Sequence, residues 1–429
     1  MKPDSSRVIA DLEALRALTS DEGGAQRVAW TPTWRKARDW FQDKLKTELG
    51  VRCERDGAGN LWATLPGTRP ESLIIGSHLD CVPGGGWLDG CLGVVAGMEV
   101  LRRVHAQGTP PLTVHLVDWA DEEGARFGRS LAGSAAAAGT LDADQELAHL
   151  VDRAGVRLPD ALADNGISLA GMASAHEWFR QKKAQAYLEL HIEQGPVLED
   201  MKRPSAVVLG TMGVERHLLR FVGQTAHSGA APIHLRRDAF LAAAQFALSC
   251  RDIANKHSGR SPKSRVVATC GVVKVEPNFV TAVPGSAEIS IDLRALDAKV
   301  LKRMLAESRS AATRAAREHK VKVAWSPLLH ITPRPFDEAL MALVGASIQE
   351  VTGRVAPQIP SGPLHDASEM AGVVPTAMLF AQSSPGVSHT RIEDTPRPAL
   401  DKSIRAFLLA VDRTLEQLGG ASSKGARRR

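Results

Sequence analysis

Side chains able to bind a metal follow directly after a predicted strand. An apolar run over residues 72–75 predicts a buried strand, and His78 and Asp80 lie just beyond it. A glycine-rich turn then leads the chain back to Asp89. In open α/β sheets, ligands bind outside the carboxyl ends of the strands. We therefore expect one imidazole and two carboxylates at a ligand-binding edge of a sheet.

More carboxylates follow the next predicted strand. Residues 91–107 have the periodicity of a helix, and an apolar run over residues 112–119 leads to Glu122 and Glu123. If the two strands lie side by side, all of these side chains converge. Imidazole combined with carboxylates suits zinc, manganese or cobalt, and a shared aspartate can bridge two ions. The alternative is a solvated acidic loop beside a structural histidine, which does not account for the repeated placement at strand ends.

The chain is predicted to form a discontinuous domain with an insertion. Strands and helices alternate in the first part, which predicts an α/β fold with a mainly parallel sheet and helices on both faces. The order then changes to that of a small α+β sandwich with one sheet and two helices. We therefore predict a metal-binding catalytic domain over residues 1–211 and 330–429, with an inserted domain over residues 212–329.

Composition excludes several classes of partner. The 429 residues are 44% hydrophobic and 24% charged, as in soluble globular proteins. Aromatic residues make up only 4%, so a base-stacking surface for nucleic acid is not expected. The net charge of +5 comes partly from the tail 424–429, which we predict to be a disordered end. No apolar run could span a membrane, and five cysteines without a CxxC pair favour reduced thiols in a cytoplasm.

Four strings of the sequence resemble the dinuclear-metal M20 peptidase family. They are Gly-Ser-His-Leu-Asp (76–80), Asp-Glu-Glu-Gly-Ala-Arg-Phe (121–127), Glu-Leu-His-Ile-Glu-Gln-Gly (189–195) and Ser-His-Thr-Arg-Ile-Glu-Asp-Thr (388–395). The closer similarity is to the amidohydrolase branch, which holds N-carbamoyl-L-amino acid hydrolases, allantoate amidohydrolases and β-ureidopropionases. The resemblance implies hydrolysis of a linear amide or ureido bond, with an N-carbamoyl or similar N-acyl amino acid as the expected substrate.

The resemblance also implies two divalent metal ions per chain, with zinc, manganese, cobalt and nickel as the candidates. Asp89 would bridge the two ions. His78 and His191 would each hold one ion, and Glu123 and His389 would complete the pair. Ions arranged in this way activate a shared water as the nucleophile.

Two further carboxylates have implied roles beside these ligands. Glu122 is adjacent to a ligand and would be the general base that passes a proton to the leaving nitrogen. Asp80 would fix the tautomer of His78 through its carboxylate. The structural alternative for Asp80 is a cap at the end of the strand.

The inserted domain is implied to be a lid and a dimer interface. His227, in the string Gly-Gln-Thr-Ala-His-Ser-Gly, would stabilise the tetrahedral oxyanion and reach the active site of a partner chain. Arg294 would grip a substrate carboxylate with two hydrogen bonds, and an ordinary ion pair is the alternative. Gln194, Asn278 and His365 are the other expected substrate contacts. The implied assembly is a homodimer that acts on a small molecule.

Departures from the family pattern gather on the substrate side. Thr281 stands where the family has asparagine, and its side chain offers no amide to a carboxylate. The usual hydroxyl and small residues are also replaced elsewhere, by Ala230, Ala231, Pro363 and Leu364. The sequence therefore predicts the reaction class but not the substrate.

Two alternatives to a carbamoylase follow from the same residues. An aminoacylase or a dipeptidase of the wider family is the alternative enzyme, but the peptidases usually supply a carboxylate where His191 stands. A non-catalytic binding protein with this fold is the second alternative. Such a protein would lack a metal ligand or the base, and this sequence has a suitable residue at each of these positions.

Overall fold

The structure is a computed structural model, and it describes residues 5–259 and 261–425. The chain divides into two compact units. The first unit comprises the chain up to Leu209, Phe336–Gln358 and the chain from Pro363 onward. The second unit comprises Gly210–Pro335 and Ile359–Gly362. The predicted insertion over residues 212–329 does not include that last short segment.

Helices and strands alternate through the first half of the chain. In order, they are α1 (Ser6–Thr19), β1 (Ser20–Asp21), β2 (Gly24–Ala25), α2 (Pro32–Leu49), β3 (Glu54–Arg55), β4 (Leu61–Leu65), β5 (Ser72–His78), α3 (Cys91–Gln107), β6 (Thr113–Trp119), α4 (Ala132–Ala138), α5 (Ala143–Glu146), α6 (Leu158–Ala163), α7 (Leu169–Met172), α8 (Ser174–Gln181), β7 (Ala184–Ile192), α9 (Val197–Asp200) and β8 (Ser205–Thr211).

The second half contains the inserted elements and the return to the first unit. In order, they are β9 (Gly213–Val222), β10 (Ala226–His227), α10 (Ala239–His257), β11 (Val266–Thr269), β12 (Val273–Glu276), β13 (Ala282–Val283), β14 (Ser286–Ala295), α11 (Ala298–Glu318), β15 (Lys322–Ile331), β16 (Arg334–Pro335), α12 (Glu338–Thr352), β17 (Gln358–Ser361), α13 (Asp366–Met370), β18 (Thr376–Ala381) and α14 (Arg397–Gly425). Short 3₁₀ turns lie at Ile233–Leu235 and Pro262–Ser264.

The main sheet is mixed, and only its centre is parallel. Its strands run in the order β8-β18-β7-β5-β6-β4-β3, and the short β16 and β17 pair with β8. Strands β18, β7, β5 and β6 are parallel to one another, whereas β8 and β4 are antiparallel to their neighbours. The prediction of a mainly parallel sheet is correct only for the central strands. The direction of the flanking strands depends on long-range pairing, which a local apolar pattern does not encode.

The helices that pack around the central strands are defined by capping signals and by burial. Helix α2 begins after Thr31, whose hydroxyl accepts a hydrogen bond from the Trp34 N–H at 3.4 Å, and ends at Gly50 in a left-handed conformation. Helix α3 is buried from Cys91 to Val104. Its apolar side chains join those of α1, α12, α14, β5, β6 and β7 in one core cluster. The central strands are therefore held rigidly by packing.

The second unit contains one antiparallel sheet covered by two helices. The sheet order is β11-β14-β9-β15, with β12 also paired to β14, and β10 and β13 form a separate ribbon. Apolar side chains of β9 and β14 form a core cluster with those of α10 and α11. Burial alternates along β14, so that Ile291 and Leu293 are buried while Asp292 and Arg294 lie on the opposite face. Polar side chains of the sheet are thereby presented away from the helices.

Two expectations from composition concern membrane-spanning helices and the C-terminal tail. None of the described helices is long and apolar enough to cross a membrane. Helix α14 continues through residue 425, so residues 424 and 425 of the predicted disordered tail over 424–429 are helical. Residues 426–429 lie outside the part of the chain that the structure describes.

Candidate metal centre

Two parallel strands of the first unit bring His78 and His191 together. His78 is the last residue of β5 and His191 lies near the end of β7, and these strands are direct neighbours. The Nε2 atoms of the two rings lie 3.4 Å apart. Each Nδ1 faces a backbone carbonyl, that of Asp80 at 3.1 Å for His78 and that of Ile192 at 2.9 Å for His191. These contacts orient both rings with Nε2 toward a common point, as in metal-binding histidines.

Asp89 belongs to two groups of candidate ligands. One group is His78, Asp89 and His191, and the other is Asp89, Glu123 and His389. Within each group the ligand atoms all lie within 4.8 Å of one another. His191 Nε2 is 3.3 Å from Asp89 Oδ1, and His389 Nε2 is 3.6 Å from Asp89 Oδ2. The structure thus places His78 and His191 in the same group, which differs from the prediction that each holds a separate ion.

Gly90 allows the turn that carries Asp89 to pass close to the His78 ring. Its φ of 65° lies in the left-handed region. A Cβ atom at this position would lie 2.4 Å from Cε1 and Nδ1 of His78. A larger residue would therefore displace the imidazole or the turn that carries Asp89.

Asp80 supports the two adjacent glutamates rather than the His78 ring. Its carboxylate accepts hydrogen bonds from the backbone N–H groups of Glu122 at 3.2 Å and Glu123 at 3.1 Å. The distance from Asp80 Oδ1 to His78 Nδ1 is 3.7 Å, which is too long for a hydrogen bond. The tautomer of His78 is set by the backbone carbonyl of Asp80, not by its carboxylate as predicted. Glu122 Oε2 in turn lies 3.6 Å from His78 Nε2.

Burial and mutual repulsion raise the pKa of most carboxyl groups in the centre. Burial first, and then the neighbouring Asp366, raises the pKa of Glu122 well above its usual range. Burial and Asp89 do the same to the pKa of Glu123. Burial also opposes ionisation of Asp89, but the surrounding imidazoles outweigh it and hold its pKa below the usual value. Burial lowers the pKa of His78 to about 3, so the ring is in the neutral, metal-binding form.

The donor set fits divalent cations. Each ligand group combines imidazole nitrogen with carboxylate oxygen, a mixture that suits zinc and its first-row neighbours. Glu123 Oε1 is buried and has no hydrogen-bond partner among the described residues. A buried carboxylate oxygen that has no hydrogen-bond partner and is surrounded by other acidic groups costs free energy unless a cation neutralises its charge.

The predicted substrate contacts of the first unit lie beside the ligands. Gln194 has a left-handed φ of 60°, and its Nε2 donates a hydrogen bond to Asp89 Oδ2 at 2.9 Å. Gln194 Oε1 is buried without a hydrogen-bond partner in the described part of the chain. His365 is only 1% exposed, and its ring centroid lies 4.4 Å from that of His191. It therefore packs against the ring of the candidate ligand His191.

Sequence reasoning did not identify several buried groups around the centre. Glu189 accepts hydrogen bonds from Ser77 Oγ at 3.0 Å and from the Ala367 N–H at 3.0 Å. Asp366 is fully buried and raises the pKa of Glu122. Glu393 accepts a hydrogen bond from Ser388. Each lies one or two positions from a predicted site residue or inside a quoted string, and that proximity was the available signal.

Arg294, in the second unit, is engaged by groups of its own unit. Its Nε and Nη2 donate to the Asp292 carboxylate at 2.8 and 3.2 Å, and its Nη1 donates to the Gly362 carbonyl at 2.9 Å. Asp292 also accepts from Arg216 Nη2 at 2.6 Å. Two arginines therefore share one carboxylate, as the ion-pair alternative for Arg294 expects.

His227 and Asn278 are exposed side chains of the second unit. His227 lies on β10, and its Nδ1 accepts a hydrogen bond from the Gly229 N–H at 3.1 Å. Because Nδ1 accepts, the proton of the neutral ring is on Nε2, which is then a donor. Asn278 has a left-handed φ of 59° in the segment between β12 and β13.

Comparisons with known proteins give a consistent result. The family model described as Peptidase family M20/M25/M40 matches residues 74–413. The N-carbamoyl-L-amino acid amidohydrolase of Geobacillus stearothermophilus is 33% identical over 86% of this chain and 88% of its own length. The allantoate amidohydrolase of Bacillus subtilis is 30% identical over 90% of this chain and 92% of its own length.

A solved structure shares the fold over nearly the whole chain. The hydantoinase/carbamoylase family amidase from Burkholderia phymatum superimposes with a TM-score of 0.86 at 30% identity, covering 97% of this chain and 99% of its own. The extent of these matches, together with the strand-end ligand groups, shows that this chain belongs to the M20/M25/M40 peptidase family.

Proposed function

We propose that this protein is a metal-dependent amidohydrolase that cleaves a linear C–N bond of an amide or ureido group. The observation that carries the proposal is the pair of ligand groups that share Asp89, with the Glu122 carboxyl group beside them. The similar proteins named as N-carbamoyl-L-amino acid and allantoate amidohydrolases support this reaction class. We propose an N-carbamoyl or similar N-acyl amino acid as the substrate.

The proposed cofactor is a pair of divalent ions, with zinc, manganese, cobalt and nickel as candidates. His78, Asp89 and His191 would hold one, and Asp89, Glu123 and His389 the other. When bound, such ions supply Lewis acidity, which polarises the scissile carbonyl and lowers the pKa of the attacking water.

Glu122 is the proposed general base. It lies 3.6 Å from a ligand but belongs to neither ligand group, so its carboxyl group is available for proton transfer. Burial raises its pKa, which favours a group that takes a proton from water and passes it to the leaving nitrogen. Asp80 holds Glu122 in place through the backbone N–H.

His227 is the proposed oxyanion donor, and the second unit the proposed lid and homodimer interface. The hydrogen bond from Gly229 leaves His227 Nε2 as a donor, which suits a developing negative charge. Apolar side chains exposed on the second unit support an interface there, including Ile233 at 83%, Phe279 at 70% and Val280 at 101% exposure.

Gln194 and Arg294 are the proposed groups that select the substrate, with Asn278 and His365 as further contacts. The buried Gln194 Oε1 is an acceptor suited to an N–H of a ureido group. Arg294 would bind the carboxylate of an amino acid. Asp292 is also paired with Arg216, so its charge stays compensated when Arg294 turns to a substrate.

We place the protein in a reducing cytoplasm. All five cysteines are free thiols. Cys81 and Cys91 are buried beside the proposed metal centre, and burial raises the pKa of their thiols to about 12 and about 11, so both are protonated and unreactive.

Metal analysis combined with an ammonia-release screen tests this proposal. The purified protein, loaded in turn with Zn²⁺, Mn²⁺, Co²⁺ or Ni²⁺, is assayed on N-carbamoyl amino acids, allantoate, N-acyl amino acids and dipeptides, and both released ammonia and released amino acid are measured. We expect metal-dependent ammonia release from a ureido acid. If only N-acyl amino acids or dipeptides were cleaved, the protein would be an aminoacylase or a dipeptidase and not a carbamoylase. No cleavage by any loaded form would contradict the proposed reaction.

A further inference from the structure

The two ligand groups of the metal centre are supported in different ways. His78 and His191 lie on neighbouring buried strands, and both are 1% exposed. His389 lies in the connection between β18 and α14, with a half-exposed side chain and a left-handed φ of 59°. Left-handed backbone is unfavourable for a non-glycine residue and persists only where neighbouring contacts hold it. Because His389 is not part of a strand, contacts from other residues must hold its backbone in this conformation.

Glu393 makes the contacts that fix this segment. It is 1% exposed, and its Oε2 accepts hydrogen bonds from Ser388 Oγ at 2.5 Å and from the His389 N–H at 3.3 Å. Ser388 Oγ also lies 3.3 Å from Asp89 Oδ2. One oxygen of Glu393 thus holds the backbone of His389. The Ser388 hydroxyl that it binds also contacts Asp89, the ligand shared by both groups.

Gly86 leaves the space that Glu393 occupies. A Cβ atom at Gly86 would lie 1.9 Å from Glu393 Oε1 and 2.7 Å from Glu393 Cβ. Because the conflict includes the base of the glutamate side chain, a rotation of its tip cannot relieve it. The glycine-rich turn before Asp89 and the segment after His389 are therefore fitted to each other through this one carboxylate.

We propose that Glu393 is a positioning residue that sets the affinity of the ion position formed by Asp89, Glu123 and His389, and leaves the position formed by His78, Asp89 and His191 largely unaffected. The inference rests on the proposed metal-dependent function. Its basis is that Glu393 holds the backbone of His389, whereas the two strand histidines are held by backbone carbonyls of their own. Asp89 also contacts Ser388, but both of its oxygens keep hydrogen bonds from Gln194 Nε2 when Glu393 is replaced. Loss of a group that orients a metal ligand typically weakens metal binding ~10–100-fold.

The test is calorimetric titration of Zn²⁺ into the metal-free full-length protein. Glu393→Leu removes the acceptor at similar volume and should weaken one ion ~10–100-fold while the other binds as in wild type. Glu393→Gln keeps an amide oxygen that can accept both hydrogen bonds, so it should bind both ions nearly as wild type does. His389→Ala supplies the reference for a weakened second position, and Glu393→Leu should resemble it.

A matched control is Glu199 of helix α9, which binds the other end of the same connection. Glu199 accepts hydrogen bonds from Ser384 Oγ at 2.5 Å and from the Gly386 N–H at 3.1 Å, but contacts no ligand. Glu199→Leu should therefore leave both affinities unchanged. Gly86→Ala should reproduce Glu393→Leu with the glutamate chemically intact, and it decides the matter if Glu393→Leu does not fold.

Three results would overturn the inference. They are two tight ions in both Glu393→Leu and Gly86→Ala, equal weakening of both ions in these variants, or the same weakening in Glu199→Leu. With two ions bound by wild type, these results would leave the proposed function in place. A wild-type protein that takes up fewer than two ions would instead overturn both the dinuclear centre and the role of Glu393.

Discussion

The proposed metal centre of the first unit and the proposed substrate groups of the second unit differ in how firmly they are held. His78, Asp89 and His191 are at most 1% exposed, and the two imidazoles are oriented by backbone carbonyls. His227 is exposed, and the Arg294 guanidinium is occupied by Asp292 and Gly362. These three proposed metal ligands are thus buried in the first unit, whereas Arg294 would have to leave its present partners to bind a substrate.

The same contrast runs through the sequence. The residues proposed as metal ligands and base match the family strings quoted above, whereas Thr281, Ala230 and Ala231 depart from the family pattern on the expected substrate side. A metal centre tolerates little variation because ligand type and geometry are fixed by the ion. Groups that contact the substrate vary with the substrate. Variants in the two regions should therefore fail in different ways.

The largest effect is expected at Asp89. Asp89→Asn removes the charge shared by both ligand groups, so we expect loss of both ions and of activity. Elemental analysis of the purified variant measures this directly. Asp118→Asn is not a suitable control, because the Asp118 carboxylate pairs with Arg38 in the core. Near-complete metal content in Asp89→Asn would remove the shared role assigned to this residue.

Glu122 and Glu123 are adjacent carboxylates with different proposed roles, and each serves as the control for the other. Glu122→Gln should keep both ions and the fold while kcat falls at least ~10²-fold, the scale of general acid–base catalysis. Glu123→Gln should lose one ion. Turnover and metal content are measured on the same samples. If Glu122→Gln retained most of its turnover, the base would have to be another group.

His227→Ala should lower kcat by ~10²–10³-fold without changing metal content, as for the loss of one oxyanion donor. His330→Ala is the matched control, since His330 is an exposed histidine of the same unit that pairs with Glu215. If His227 acts across a dimer, mixing His227→Ala with Glu122→Gln chains should restore activity. No restoration after verified subunit exchange would mean that each chain supplies its own histidine.

Arg294→Ala is expected to have the smallest effect and to act on specificity. Removing one partner of a desolvated charge pair costs ~2–5 kcal/mol, so kcat/KM should fall roughly 30-fold or more on an N-carbamoyl amino acid. The loss should be much smaller on the neutral carboxamide analogue. Arg220→Ala removes an arginine of the same sheet that pairs with Glu288 and not with Asp292, and it should keep the preference for the acid. Equal losses on both substrates in Arg294→Ala would make Arg294 purely structural.

Local pattern was sufficient where the chain itself carries the signal. The apolar runs over residues 72–75 and 112–119 locate strands β5 and β6, and the helical periodicity over residues 91–107 matches helix α3. The rest depends on neighbours distant in sequence. The antiparallel pairing of β8 and β4 made the sheet mixed, and nothing in either strand encodes its direction.

The site shows the same limit. The sequence identified Asp80 as a carboxylate near His78, but its partners are the backbone N–H groups of Glu122 and Glu123, which only the folded turn places there. Asp366 approaches Glu122 from a segment more than two hundred positions away, and no local pattern reports such proximity.

The central claim is that two divalent ions share Asp89, and crystallography of the metal-loaded protein tests it most directly. Anomalous scattering from Zn²⁺ or Mn²⁺ locates each ion without assumptions about its ligands. We predict two ions ~3.5–4 Å apart, the usual separation in two-metal sites, with one Asp89 oxygen bound to each. One ion should contact His78 and His191, and the other Glu123 and His389. A single ion, or two ions of which only one contacts Asp89, would contradict this account.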